Sequence, residues 1–282
     1  MTEDQHHQQQ QHEPRCHCTV DESGNIAWSL ELPEAREPRL LLRRRTESKG
    51  TAAEERPSHS LALEETQGGR WVAVQPGLPA LAEGRWDVYV VERGKDERRA
   101  RPGLRDLRVL LDGSHRNRTS PVAVRIPYAT KDGYLAVRTW LRTAHAETQS
   151  LRIDDDGMTV AGRLHGKRLG PRATVVLRHR QERTLHPLPL QQQADEHEFV
   201  FRVDYANLLR PGQTGPYAWD VFVQPQEEAD MVRVGKLFDD IPDRKKIFVY
   251  SAARLGKRGE YEVRPYYTVN NDLAIEVSTR SV

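Results

Sequence analysis

Cysteine is nearly absent from this 282-residue sequence, which contains only Cys16 and Cys18. Two cysteines separated by a single residue cannot join distant parts of a domain, which excludes a disulfide-stabilised fold. Charge of one sign is lacking as well, because 43 basic side chains face 41 acidic ones and the formal net charge is +2. This near balance gives no electrostatic case for binding nucleic acid or an anionic membrane.

Long apolar runs are also missing. No segment reaches the roughly 18 apolar residues that a membrane-spanning helix requires. The first residues are polar and rich in His and Gln, without the apolar core of a secretory signal. We therefore expect a disordered tail over residues 1–16 and a cytoplasmic location. Hydrophobic residues make up 37% of the chain, enough for two modest cores.

An internal repeat is the main feature that is present. The strand-like segment 84–90, which contains Trp86-Asp87, returns as 217–223, which contains Trp219-Asp220, a shift of 133 positions. Four further matches follow in the same order: 20–24 with 153–157, 40–45 with 175–180, 127–130 with 265–268, and 135–137 with 273–275. Five ordered matches predict two tandem copies, over residues 17–142 and 149–282.

Each copy consists of short alternating segments separated by turn residues, and helical periodicity is nearly absent. Seven or eight strands in about 120 residues are typical of a two-sheet sandwich. We predict an all-β protein of two tandem immunoglobulin-like β-sandwich domains. Trp86 and Trp219 would anchor the two cores. The predicted strands of the first copy are 25–32, 39–45, 60–64, 71–75, 86–91, 107–111, 122–127 and 134–139. Those of the second are 159–165, 174–180, 185–190, 199–203, 219–223, 246–251, 261–267 and 273–278.

Turn chemistry supports this interpretation. Lys131-Asp132-Gly133 and Asn270-Asn271 suit tight hairpins, because Gly and Asn tolerate positive φ. Residues 78–81 and 205–209 could each form one helical turn before the Trp-Asp strand. Asp154-Asp155-Asp156 has ligands suited to Mg²⁺ or Mn²⁺, but its repeat partner is a turn, and we interpret it as a turn too.

Two groups of polar residues are candidate sites. His6, His7, His12, Cys16, His17 and Cys18 have side chains suited to Zn²⁺ or Cu²⁺, but Cys-x-Cys is not the usual structural zinc spacing. A low-complexity tail explains them as well, and we predict no metal site. Asp87 and Asp220 require partners if they are buried, and Arg43 and Arg178 are the expected structural ion-pair partners.

Four tyrosines near the terminal hairpins, Tyr128, Tyr134, Tyr266 and Tyr267, are the candidate ligand-binding residues. Exposed rings there could stack on sugars, and packing in the core or rim is the alternative. No nucleophile elbow, dinucleotide fingerprint or phosphate loop occurs, so we predict no catalytic residues and no cofactor. The sequence favours a binding role over catalysis.

The pattern Trp-Asp-Val-aromatic-Val, a following basic loop, and a late Pro-Tyr hairpin ending in Asn-Asp-Leu-Ala-Ile-Glu-Val together resemble a known family. These are the accessory β-sandwich modules of actinobacterial glycosyltransferases and CDP-glycerol glycerophosphotransferases, enzymes that build teichoic acids and related polysaccharides. The resemblance implies a non-catalytic appendage for substrate binding or oligomerisation. The α/β catalytic domain of those enzymes has no counterpart in the sequence.

Three functions follow as hypotheses. The first is a binding module that acts with a glycosyl- or glycerophosphotransferase in cell-wall polysaccharide or natural-product biosynthesis, with a glycan or the transferase itself as partner. The second is a transferase-type tailoring enzyme with a site between the two sandwiches, near a linker at residues 140–149. The third is a scaffold whose edge strands pair into homo-oligomers.

Overall fold

A computed structural model describes residues 13–46, 56–111, 120–213 and 215–279. The regular structure of these residues is nearly all β, with 22 strands and a few short 3-10 turns. The chain divides into two compact units. We call residues up to 115 together with 123–141 the N unit, and residues 116–122 together with 142–282 the C unit. None of the helical turns in the described segments has the length or apolar character to cross a bilayer.

The strands of the N unit are short, and most bury every second residue, as expected for strands with one face on a core. They are β1 Arg15–Val20, β2 Ile26–Glu31, β3 Arg39–Arg44, β4 Ser58–Ala62, β5 Glu64–Glu65, β6 Arg70–Gln75, β7 Gly84–Val91, β8 Arg98–Arg99, β9 Arg101–Asp106, β10 Val122–Ala129 and β11 Leu135–Arg142.

The strands of the C unit are longer on average, and its central strands bury both faces. They are β12 His145–Ile153, β13 Gly157–His165, β14 Thr174–His179, β15 Leu185–Pro189, β16 Gln191–Gln192, β17 Glu198–Asp204, β18 Tyr217–Gln224, β19 Val232–Gly235, β20 Ala253–Leu255, β21 Tyr261–Tyr267 and β22 Leu273–Thr279.

The N unit contains two sheets, ordered β5-β6-β2-β1-β9 and β10-β11-β7-β3-β4, and β8 pairs with β7. The chain changes sheet at the fully buried Ala100. Arg99 before it pairs antiparallel with β7, and Arg101 after it pairs parallel with β1.

The C unit contains the same crossover within one strand. Val232 and Arg233 of β19 pair with β18, whereas Val234 and Gly235 pair in parallel with β12. Because β19 belongs to both ladders, the unit forms a single 11-stranded sheet. Side chains from both halves, such as Val160 and Trp219, lie in one buried cluster, so this sheet folds over a single core.

The structure confirms the predicted hairpin turns. Gly133 and Asn271 have φ values of 76° and 59°, the left-handed conformation that Gly and Asn adopt most readily. Residues 205–208 form the expected helical turn. Residues 78–81 do not, because Pro76 and Pro79 fix φ and remove backbone donors.

Several strand predictions were wrong. Residues 108–110 form a 3-10 turn, and residues 246–251 contain no strand. The crossover segments β8 and β9 in the N unit and β19 in the C unit take their place in the topology. Strand β1 begins at Arg15, inside the predicted tail, and β12 begins at His145, inside the predicted linker.

Candidate functional site

Asp87 lies at the centre of a polar cluster on the outward face of β7, because Trp86 and Val88 face the core and side chains alternate along a strand. Its carboxylate accepts hydrogen bonds from Nε of Arg45 at 2.9 and 3.0 Å and from Nη2 of Arg99 at 2.9 Å. Two guanidiniums therefore bind one half-buried carboxylate.

Asp220 occupies the same place on β18. Arg180 donates to its Oδ1 at 2.6 Å, Arg233 lies 3.1 Å away, and Arg178 lies 3.8 Å away. Burial raises the pKa of Asp220, but the hydrogen bond from Arg180 and the charges of Arg233 and Arg180 outweigh burial and lower the pKa. This carboxylate is thus a weak base held by arginines of its own unit.

The strand registers show that the two clusters are equivalent. In the strand ladders Arg43 lies opposite Asp87, and Arg178 lies opposite Asp220. Arg99 and Arg233 lie opposite the aromatic residue that follows each aspartate by two positions. The backbone N–H groups of Arg45 and Arg180 both bond to the strand that carries the aspartate, at 2.8 Å. The crossover is therefore common to both units and supplies one arginine to each cluster.

The expected partner of Asp87 differs from the observed ones. Arg43 instead forms a bidentate pair with Glu97, with N···O distances of 2.7 and 2.8 Å. In the C unit, Arg178 approaches Asp220 only at ion-pair distance, and Arg180 forms the short contact. The close partners are the arginines two residues further along the chain, on the same face of the strand.

The four candidate tyrosines differ in how their hydroxyl groups are used. Tyr134 donates to Glu13 at 2.8 Å, and its ring lies 4.1 Å from the guanidiniums of both Arg99 and Arg101. Tyr266 accepts a hydrogen bond from Arg180 at 2.8 Å. These two rings are partly covered by arginines, a cation–π arrangement that leaves less ring surface for a sugar.

Of the other two tyrosines, Tyr267 lies in the interior and Tyr128 is half-buried. Tyr267 is 2% exposed and packs against Phe248 and Tyr250 in the C unit core. The hydroxyl of Tyr128 is buried and has no hydrogen-bond partner among the described residues. Ring stacking on a ligand would require Tyr267 to leave the core, so the geometry assigns this residue to packing.

The two tryptophans are buried, as the repeat predicts. Trp86 is 4% exposed and donates to the carbonyl of Ala82 at 3.1 Å, whereas Trp219 is fully buried and donates to the carbonyl of Leu208 at 3.3 Å. Each indole thereby satisfies its only polar group while it fills a core.

The candidate metal ligands at the start of the chain do not converge where they are described. Cys16 and Cys18 point into the core of the N unit, and burial raises the pKa of both thiols, that of Cys18 to about 12. His17 lies on the opposite face of β1 and accepts a hydrogen bond from the backbone of Leu104 at 3.1 Å. His6, His7 and His12 lie outside the described residues.

The Asp-rich segment is a hairpin turn between β12 and β13. The N–H of Asp154 donates to the carbonyl of Gly157 at 3.0 Å, and Arg202 binds the Asp154 carboxylate at 2.7 and 3.0 Å. The hydrogen bond from Arg202 lowers the pKa of Asp154 to about 2. A guanidinium thus takes the position that a divalent cation would require.

A buried group that the sequence analysis missed lies at the start of β12. Nε2 of the fully buried His145 lies 2.8 Å from Glu147, which also accepts hydrogen bonds from the backbone of Leu237 at 2.8 Å and Phe238 at 3.3 Å. His165 pairs with His145 across the strands, and burial lowers its pKa to about 4. Alternation of His and Glu along one strand, His145-Ala-Glu147, was the available signal.

A shallow depression of about 450 Å³ lies on the outward face of the N unit sheet that contains β1, β2 and β6. Its polar lining includes His17 and the pair Ser29–Arg70, in which Arg70 donates to the serine hydroxyl at 3.2 Å. Val74 and Leu104 are 61% and 78% exposed beside them. A mixture of apolar surface with a few polar groups is typical of small-ligand sites.

No protein-family model matches the chain, and no curated protein is similar to it in sequence. Among solved structures, a crystal structure of S. aureus TarS shows 17% identity and a TM-score of 0.39, covering 62% of this chain and 32% of that one. A structure of S. aureus TarS 217-571 shows 16% identity and a TM-score of 0.31, covering 68% of this chain and 56% of that one. The chain thus spans about a third of the first structure and just over half of the second.

Proposed function

We propose that this protein is a non-catalytic pair of immunoglobulin-like β-sandwich modules. In this proposal it binds a glycan and acts with a glycosyl- or glycerophosphotransferase in cell-wall polysaccharide or natural-product biosynthesis. The observation that carries the proposal is the capture of Asp87 and Asp220, the two repeated carboxylates, by arginines of their own unit. A carboxylate whose oxygens are bonded to arginines is suited to a structural role rather than to proton transfer in catalysis.

The resemblance of the Trp-Asp-Val pattern and the late Pro-Tyr hairpin to transferase accessory modules supports the biological setting. The equivalent crossovers at Arg99 and Arg233 support the idea that both units are copies of one module. For the glycan itself we propose the depression at His17, Ser29 and Arg70, rather than the four tyrosines, because its side chains combine exposed apolar surface with hydrogen-bonding groups.

A glycan array probed with the full chain tests the binding function. We expect retention of a carbohydrate, at least tenfold weaker retention by Arg70→Ala, and unchanged retention by Arg93→Ala. Arg93 is a suitable control because it is a 75% exposed arginine of the same unit that pairs only weakly with Glu37, at 3.5 Å. Retention lost equally in both variants would contradict the proposed site.

The non-catalytic part requires a separate measurement. The purified chain, incubated with CDP-glycerol or UDP-sugar donors and the retained glycan, should release no nucleotide. Nucleotide release should begin when a transferase encoded beside its gene is added. The tagged chain should also bind that enzyme in a pull-down. Nucleotide release by the chain alone that Asp87→Asn abolishes would overturn the proposal.

A further inference from the structure

Arg43 and Arg178 occupy the same position in the two units but have different partners. Both lie opposite the repeated aspartate, and both guanidiniums lie over the aromatic ring two residues along, Tyr89 at 5.0 Å and Phe222 at 4.4 Å. In the N unit, the two terminal nitrogens of Arg43, which we call the guanidinium fork, donate two short hydrogen bonds to the carboxylate of Glu97. Each unit therefore presents an arginine fixed in the geometry that suits an oxyanion.

In the C unit this fork is open. Among the described residues, the side chain of Arg178 makes no hydrogen bond, and its nearest carboxylate, that of Asp220, is 3.8 Å away and already bonded to Arg180. The Nε atoms of Arg43 and Arg178 are both buried without a partner among the described residues, so the two arginines differ at their terminal nitrogens, and the side chain of Arg178 is 22% exposed. A guanidinium with unused donors and an accessible edge can donate hydrogen bonds to a ligand oxygen.

The reason for the difference can be identified in the sequence. Arg99 and Arg233 are equivalent, and the residue two positions earlier, just before the crossover strand, is Glu97 in the N unit and Met231 in the C unit. A half-buried methionine brings no charge to the cluster. The C unit thus lacks the carboxylate that neutralises the equivalent arginine.

The surrounding charge favours an anion with more than one charge. Arg178, Arg180 and Arg233 share Asp220, and Asp272, which lies 3.5 Å from Arg233, also binds Arg142 at 2.9 Å. Burial and the nearby charge of Arg183 lower the pKa of Arg178, whereas the hydrogen bond that Arg43 donates to Glu97 raises the pKa of Arg43. A doubly charged group relieves this excess better than a carboxylate does.

We propose that Arg178 binds a phosphate group of a ligand, in the position that the Glu97 carboxylate takes in the N unit. Arg180 and Arg233, fixed by Asp220, add positive charge beside it. This inference rests on the proposed binding function and adds a second, anionic contact to it. The phosphate can be the doubly charged monoester of a sugar phosphate or the singly charged diester of a polymer, and the positive charge of the cluster favours the monoester.

Isothermal titration of the full chain tests the site with four probes: inorganic phosphate, glucose 1-phosphate, a glycerol phosphodiester and glucuronate. We expect one phosphate site per chain, and at least tenfold weaker binding in both Arg178→Gln and Met231→Glu. Met231→Glu retains every arginine and supplies the missing carboxylate from within. Arg43→Gln is the matched control and should bind phosphate like the wild type.

The converse variant should gain a phosphate site, a result that a folding defect cannot produce. Glu97→Met should open the N unit fork and raise the phosphate stoichiometry from one to two. Tighter binding of glucose 1-phosphate than of inorganic phosphate would assign the site to sugar phosphates, and tighter binding of a glycerol phosphodiester would assign it to a polymer. Unchanged binding in Met231→Glu, or equal affinity for glucuronate and glucose 1-phosphate, would overturn the proposal. Glycan retention by Met231→Glu would show that the proposed function stands without this site.

Discussion

The N unit and the C unit use the same strand frame but balance charge differently on it. In both, an aspartate after the core tryptophan is held by an arginine just after the end of the neighbouring strand and by one from the crossover. In the N unit a further carboxylate, that of Glu97, bonds to Arg43, whereas in the C unit the further carboxylate, that of Asp272, lies beside Arg233 and leaves Arg178 without a hydrogen bond among the described residues. The comparison indicates that the aspartate–arginine pair belongs to the fold, while the residue two positions before the crossover arginine determines whether the cluster is satisfied internally.

The cores of the two units also differ in polarity. The C unit buries His145, Glu147 and His165 completely or nearly so, whereas the two described histidines of the N unit, His17 and His59, are only half-buried. Among them, burial favours the neutral imidazole of His165 and lowers its pKa to about 4. The C unit is therefore the unit whose stability should respond to acid.

Replacing the core tryptophans is the strongest way to test whether the units are equivalent. Trp86→Ala and Trp219→Ala should each lower the free energy of unfolding by about 3 to 5 kcal/mol through the loss of buried surface and the cavity left behind. The loss should be larger for Trp219, which is fully buried and packs against His179 with ring centroids 5.0 Å apart.

Hydrogen exchange measured by mass spectrometry locates each effect. Exchange should increase in β14 and β18 for Trp219→Ala and in β3 and β7 for Trp86→Ala. An equal increase in both units from either variant would contradict the assignment of one core to each unit.

The central strands could be predicted from the sequence because alternation and the repeat coincide there. Strands β7 and β18 follow this pattern closely. The crossover strand β8 was missed because Arg98-Arg99 is too short and too polar to show alternation. Strand β1 was missed because its neighbours are rich in His and Gln. In both cases tertiary pairing, which local composition does not encode, forms the strand.

The ion pairs show a similar limit. The matching Arg-ended strands of the repeat suggested Arg43 as the partner of Asp87, and Arg43 does lie opposite Asp87, but a second carboxylate, Glu97, bonds to it instead. That competition depends on how a loop returns to the sheet, and nothing in the local pattern reveals it. The open fork of Arg178 could be recognised only once the registers of both units were known.

Acid should destabilise the C unit more than the N unit. Burial lowers the pKa of His165 from an ordinary 6.5 to about 4, with the charges of His145 and Arg163 adding to the shift and that of Glu147 opposing it. The unfolded chain therefore binds more protons between these two values, and stability is lost as the pH falls from 6.5 to 4. The contribution is up to about 3 kcal/mol.

Urea unfolding at pH 7, 5 and 4 measures this loss. His165→Gln should reduce the dependence on pH over this range, while His59→Gln, a half-buried histidine of the N unit, should not. Carboxylates also make every variant less stable in acid. The informative quantity is therefore the difference between variant and wild type in the free energy of unfolding lost from pH 7 to pH 4. The same loss in His165→Gln as in the wild type would count against the buried imidazole as its source.

The smallest expected effect separates the equivalent tyrosines Tyr128 and Tyr266. Tyr266→Phe removes a hydrogen bond of 2.8 Å from Arg180 and should reduce stability by about 0.5 to 1 kcal/mol. Tyr128→Phe removes a buried hydroxyl without a partner among the described residues, so it should be neutral or stabilising by up to about 1 kcal/mol. Thermal unfolding of both variants, with the double variant to test additivity, measures the difference. Opposite signs at equivalent positions would show that the two copies share a frame without sharing its polar contacts, whereas equal losses would indicate that Arg45 bonds to Tyr128 as Arg180 does to Tyr266.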